Sequence, residues 1–171
     1  MKRSLTGFAC LFALLLAGPA HAADPIGDLL KAIDKAASFA ANAPNWLMKA
    51  SLYHTGNKGV GVRDSIGCRV VAMRTMAIDP QVVPKHSVVF IPETVGLALP
   101  GGGVHDGFWY ASDTGGAIKG KRIDLYTGSG AGSMRAAMKL NMKTLTVRRV
   151  AEFNGCPQAV TPAVYKVAVA G

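Results

Sequence analysis

"SDTGGAIKGKRIDLYTG", residues 112–128, decides how this chain is read. It carries two aspartates, Asp113 and Asp124, eleven positions apart, each at a strand-like segment, "FWYAS" before the first and "RIDLYTG" around the second. The intervening "TGGAIKGK" folds the chain back on itself, because glycine tolerates the backbone angles that a tight return requires. Both acids are therefore expected at the rim or mouth of a β structure. Two readings stay open at this point. Asp113 caps the following turn while Asp124 pairs with Lys121 or Arg122 at the surface. Alternatively, the two carboxylates share a cleft, where repulsion and desolvation keep one protonated near neutral pH, as general acid catalysis requires.

The same grammar extends outward. "WLMKASLYH", "CRVVAMRTMAI", "VVFIPE" and "KTLTVRRVAEF" are further short β-like runs broken by glycine and proline, which makes six with the two above. Six strands at such spacing, with one short helix expected at Ser133–Asn141, predict a small closed barrel rather than an open sheet. Upstream, Asp24-Pro25 is a helix start with Asp as N-cap and Pro at the first helical position. Ile26, Leu29, Leu30, Ile33, Ala37 and Ala40 follow on one face, and the helix is expected to end in "ANAP". Its reading is packing or spacing.

At the N-terminus, "MKRS", the apolar "LTGFACLFALLLAG" and the small-x-small ending "PAHA" read as a signal peptide cut after Ala22. Cys10 leaves with it. Export makes Cys68 and Cys156 an expected disulfide, with free or metal-binding thiols as the alternative. The net charge is +9, and it falls to +7 without Lys2 and Arg3. A basic surface suits solubility or an anionic polymer of the cell envelope, and the lack of basic runs interleaved with aromatics excludes a nucleic-acid reading. The expected organisation is a signal peptide at 1–22, helix and linker at 23–44, a barrel at 45–156 and a tail at 157–171 that either docks or stays mobile, with no stable membrane anchor after cleavage.

Rival chemistries fare poorly. An aspartic protease needs two Asp-Thr-Gly loops, and a single "DTGG" preceded by Ser112 supplies one. His54, His86 and His105 lack paired metal-ligand spacing, so no metal or cofactor is expected. "TGSGAGS" lacks the closing Gly-Lys-Ser/Thr of a phosphate loop and reads as a connection.

"RTMAIDPQVVP", residues 74–84, followed by "YASDTGGAIKGKRIDLYTGSG", residues 110–130, resembles the 3D domain, named for three aspartates and found in the membrane-bound lytic transglycosylase A family and related muralytic proteins. Asp79, Asp113 and Asp124 match the three in order, "GGAIKG" is the most specific part, and "KASLYHTG" resembles the usual first strand. The resemblance covers roughly residues 46–150. It implies a six-stranded double-psi β-barrel, so that with the N-terminal helix and the one short helix read above the expected fold is mainly β. It implies non-hydrolytic cleavage of the β-1,4 bond between N-acetylmuramic acid and N-acetylglucosamine in peptidoglycan glycan strands, leaving a 1,6-anhydro sugar, with Asp124 as catalytic acid and base and Asp113 tuning it. Asp79 either fixes a turn or touches sugar. Thr114 and Lys119 are candidate substrate contacts, with a solvated lysine as the other reading of Lys119. Tyr53, Trp109 and Tyr110 are candidates for sugar stacking, at least one of them core. This chain has no room for the second glycan-binding domain of the larger family members, and the loop between Pro92 and Asp106 is the candidate for one groove wall. Two alternatives stand beside this reading: a non-catalytic wall-binding barrel, and a water-using glycoside hydrolase with Asp113 as base.

Overall fold

The computed structural model describes residues 24–42, 45–162 and 165–166; the expected signal peptide and part of the C-terminal tail lie outside them. Helix α1, Pro25–Asn42, begins where the Asp-Pro pair places it, with the Gly27 N–H donating to Asp24 Oδ1 at 3.0 Å. It lies against β6, yet Ile26, Leu29 and Leu30 on its first turns are exposed. No helix among the described residues is long and apolar enough to cross a membrane.

Six strands follow: β1 (Asn45–Thr55), β2 (Thr75–Ile78), β3 (Ser87–Phe90), β4 (Phe108–Asp113), β5 (Arg122–Ser129) and β6 (Thr144–Glu152). They close into a barrel in the order β1-β5-β2-β4-β3-β6, with β1–β5 and β2–β4 parallel and the other pairs antiparallel. The fold is thus mainly β, a closed six-stranded barrel of the double-psi kind. Closure leaves no edge strand to be protected. Alternation along the strands sends Met48 and Ala50 of β1, Ile123 and Leu125 of β5, and Leu145 and Val147 of β6 inward, around Met76, Ile78, Val89 and Trp109.

Two expected elements come out differently. The run Cys68–Ile78 is a strand only over Thr75–Ile78. Before it, the Arg74 and Thr75 N–H groups both donate to Val71 O, at 3.0 and 2.9 Å, and Met73 has a φ of 56°, so the backbone turns out of the sheet. The expected helix at Ser133–Asn141 is a 3-10 helix over Ala131–Leu140. Its buried residues Ala137 and Leu140 are three apart, the spacing at which a three-residue turn repeats a face.

Cys68 and Cys156 form a disulfide across a sequence separation of 88. In the chain-entropy account, closing a loop of that length stabilises by ~4–5 kcal/mol. The bridge also pins the irregular segment between β1 and β2 to the chain beyond β6. Residues 157–162 pack near it, with buried Arg74 donating from Nε to Ala159 O at 3.1 Å and from its guanidinium to Phe108 O at 2.9 Å, while pairing with Asp106.

Candidate active site

β2 lies between β5 and β4, and its Ala77 is the register partner of Asp124 on one side and Asp113 on the other. Two strand spacings, about 10 Å, therefore separate the backbones of the two acids, with a methyl group between them. A register shift between Met76 and Ala77 in the β2–β4 pairing sets the end of β4 that carries Asp113. Bulges of this kind re-aim side chains next to functional clefts.

Both acids line a cleft of about 390 Å³, together with Tyr53, Ala77, Thr114, Gly115, Ile118 and, from the irregular segment, residues 59–61 and 63–65. The two carboxyl groups have opposite environments. Asp113 is held by three donors: the Tyr53 hydroxyl to Oδ2 at 2.8 Å, and the N–H groups of Thr114 and Ser65 to Oδ1 at 2.8 and 3.1 Å. Asp124 has its Oδ1 buried without a hydrogen-bond partner. Burial pushes its pKa up to about 6, the Ser51 hydroxyl and the charge of Arg122 pull it down, and the charge of Asp113 adds a smaller upward push. Desolvation is thus the main agent, ahead of the repulsion by Asp113 that the sequence suggested.

Tyr53 is buried, its ring 5.2 Å from that of Tyr126. Burial first, then the charge of Asp113, raises its phenol far above the usual range, so it stays a donor to Asp113. Its hydroxyl thus holds a carboxylate, while the residue also lines the cleft in which the sequence suggested stacking on sugar. Trp109 does not reach the cleft: it is 0 % exposed, with Nε1 donating to Thr94 Oγ1 at 3.1 Å. Its place on the inner face of β4 excludes it from sugar stacking. Tyr110 is also buried, against Phe153 at 5.0 Å.

Asp79 is spent on the backbone. Its Oδ1 accepts from the Gln81 N–H at 3.1 Å and its Oδ2 from the Gly120 N–H at 2.8 Å, contacts that hold its pKa below the usual carboxylate range, Gly120 first. Gly120 sits at a φ of 62°, where glycine is the residue of least strain, so Asp79 ties down the end of the "GGAIKG" turn. Lys119, at the tip of that turn, is exposed and outside the cleft lining.

The wall facing the acids comes from residues 59–65, and Pro100 of the Pro92–Asp106 loop lines a neighbouring cavity instead. The disulfide explains this: Cys68 draws the segment before it across the barrel mouth. Asp64, which sequence reading missed, is 6 % exposed; its Oδ1 accepts from the N–H groups of Cys68 and Ile66 at 2.8 and 3.2 Å, and its Oδ2 is buried without a partner. "RDSIGC" signals a turn, but nothing in it signals proximity to Asp113. His105 is fully buried, with Nε2 against Met73 O at 2.7 Å and Nδ1 accepting from the Gly107 N–H at 2.8 Å. Burial, then Arg74, lowers its pKa to about 4, so it is a neutral core histidine. Among the described residues no group of three or more His, Cys, Asp or Glu side chains is placed to hold a metal ion.

The closed six-stranded barrel thus brings two carboxyl groups in unequal environments into one cleft. Residues 74–145 match the family model of the 3D domain. Among solved structures, the chain is similar to MltA of E. coli with bound chitohexaose, at 22% identity over 56% of this chain and 29% of that one, TM-score 0.40. It is also similar to the lytic transglycosylase LtgG of Burkholderia pseudomallei, at 24% identity over 53% and 26%, TM-score 0.37. A membrane-bound lytic murein transglycosylase of Agrobacterium tumefaciens gives 27% identity over 51% and 25%, TM-score 0.37. The chain thus spans less than a third of each of these structures. No curated protein matches the chain.

Proposed function

We propose that this chain is an exported peptidoglycan lytic transglycosylase that cleaves the bond between N-acetylmuramic acid and N-acetylglucosamine and leaves a 1,6-anhydro-muramoyl end. The observation that carries the reading is Asp124 itself: a carboxyl group at the wall of an open cleft, with an unpartnered oxygen and a pKa pushed up to about 6, inside the segment that matches the 3D domain. Such a group is protonated often enough near neutral pH to act as an acid, and its conjugate base is strong enough to take a proton back.

In the proposed reaction Asp124 donates its proton to the glycosidic oxygen as the C1–O bond breaks. The muramoyl C6 hydroxyl then attacks C1, and its proton passes to the Asp124 carboxylate, which restores the acid. No water is consumed and no covalent enzyme intermediate forms, because the nucleophile belongs to the substrate. Asp113, held by Tyr53, Ser65 and Thr114, stays in place as a fixed negative charge facing the positive character that develops at C1. Three donors already bond its two oxygens, which leaves little capacity to accept from a water, and this favours the transglycosylase over the hydrolase. Thr114 and the 59–65 wall are the proposed sugar contacts.

The direct test is the Asp124→Asn protein mixed with purified sacculi. It is expected to fold, to sediment with the wall and to release no soluble fragments. Release at the wild-type rate removes Asp124 from the reaction, and a wild-type protein that binds sacculi without cutting them is a wall-binding module.

A further inference from the structure

The outer face of the parallel β1–β5 ladder continues beyond the cleft in both directions. Its register partners run Lys49 with Arg122, Ser51 with Asp124, and Tyr53 with Tyr126, while Ala50, Ile123 and Leu125 between them turn into the core. Alternate residues share a face, so Lys49 and Arg122 stand one side-chain step, about 7 Å, from Ser51 and Asp124. Both are exposed, and neither takes part in an ion pair among the described residues. Main-chain pairing brings in two more exposed cations: the Lys49 N–H donates to Lys121 O at 2.9 Å, and the Ala50 N–H donates to Lys143 O at 2.8 Å. Like charges placed directly opposite on a sheet face are unfavourable. Lys49 opposite Arg122 is therefore a local cost that the barrel would avoid by any neutral choice, and such exceptions concentrate at functional surfaces.

In the other direction the ladder runs to Thr55 and a second cavity of about 330 Å³, lined by Thr55, Arg69, Tyr126 and Ser129 among others. There the Thr55 hydroxyl donates to Ser129 Oγ at 2.9 Å and shares a hydrogen bond with the Tyr126 hydroxyl at 3.2 Å. Hydroxyls and a phenol suit sugar hydroxyls, and Arg69 adds another exposed cation. From Lys49 to Thr55 the ladder spans about 20 Å, with the buried rings of Tyr53 and Tyr126 between the cleft and this second cavity. The acid thus lies between two cationic ends. A neutral polysaccharide has no group for those cations to bind, whereas a glycan with carboxylates on its side chains does.

We propose that Lys49 and Arg122 form an anion subsite for a carboxylate carried by the glycan strand beside the bond that Asp124 protonates. The preferred substrate is then a glycan bearing peptide carboxylates rather than a chain whose carboxylates are neutralised. This rests on the function proposed above and specifies its substrate. Charge attraction at an exposed subsite is screened by salt, so the preference belongs to low ionic strength.

The test measures binding of the Asp124→Asn protein, which does not consume its ligand, to sacculi with their peptide carboxylates intact and to sacculi whose carboxyl groups are blocked as neutral amides with carbodiimide and ammonium. At low salt the intact wall is expected to bind about tenfold more tightly, and the difference is expected to shrink in 0.5 M salt and to disappear in the additional K49Q/R122Q variant. Both positions are exposed on strands, and a thermal melt confirms that the variant folds. Equal binding to the two walls overturns the proposal, as does a full preference retained by K49Q/R122Q. If the wild type cuts both walls at equal rates, the subsite is refuted and the transglycosylase reading stands; if it neither binds nor cuts either wall, both are refuted.

Discussion

Asp124 couples the chemistry of the cleft to the stability of the fold. Because its folded pKa is about 6 against an ordinary 3.8, the native state holds a proton that the unfolded chain releases between those values. The contribution of this group to stability is therefore full below about pH 4 and is lost as pH rises through 6. Asp124→Asn should raise the melting temperature by a few degrees at pH 8, where the wild type carries a buried charge, and leave it nearly unchanged at pH 4. Scanning calorimetry at the two pH values checks this, and equal shifts at both would place the carboxyl in water. The same protonation governs rate: cleavage should fall with a one-proton slope as pH rises above about 6, and Asp124→Asn should lose at least about 100-fold in activity. Tyr53→Phe removes one of three donors to Asp113 and should cost roughly tenfold in rate, the equivalent of one hydrogen bond to a charged group, with the fold retained by circular dichroism.

At the scale of elements, three pieces make the cleft: the β5–β2–β4 strip that carries the acids, the "GGAIKG" turn fixed by Asp79, and the segment pinned by Cys68. Ala77 keeps the strip open, and Ala77→Leu should fill the space between the acids and lower activity more than tenfold while changing stability modestly; a kinetic assay beside a thermal melt separates the two. Cys68→Ser with Cys156→Ser should destabilise by ~2–5 kcal/mol, seen in urea titration, and should lower activity even below the melting temperature by loosening the wall that supplies Ser65. Much of this was legible in the sequence. The strand-turn-strand around Asp113 and Asp124 follows from glycine spacing and alternation, and the helix at Pro25 follows from its cap. The break at Met73 was hidden because "CRVVAMRTMAI" contains no glycine or proline to mark a turn, and only the tertiary demand of the turn separates its halves. The wall from residues 59–65 was hidden for a related reason, since a glycine-rich segment shows no side-chain period and its position is set by a disulfide to a partner 88 residues away. Trp109 was misread because alternation on a strand that is buried throughout gives no outward face to recognise.

For the whole molecule, the barrel has a cleft of about 390 Å³ and a basic net charge, which suit the proposed anionic polymer substrate. The central claim is that this cleft breaks glycan strands without water. Residues 23–171 are incubated with purified sacculi, and the released muropeptides are analysed by mass spectrometry after digestion in water enriched in oxygen-18. The account predicts 1,6-anhydro-muramoyl ends that are one water lighter than ordinary reducing ends and carry no heavy oxygen from the protein's own cut. Reducing ends labelled with oxygen-18 at that cut would contradict it.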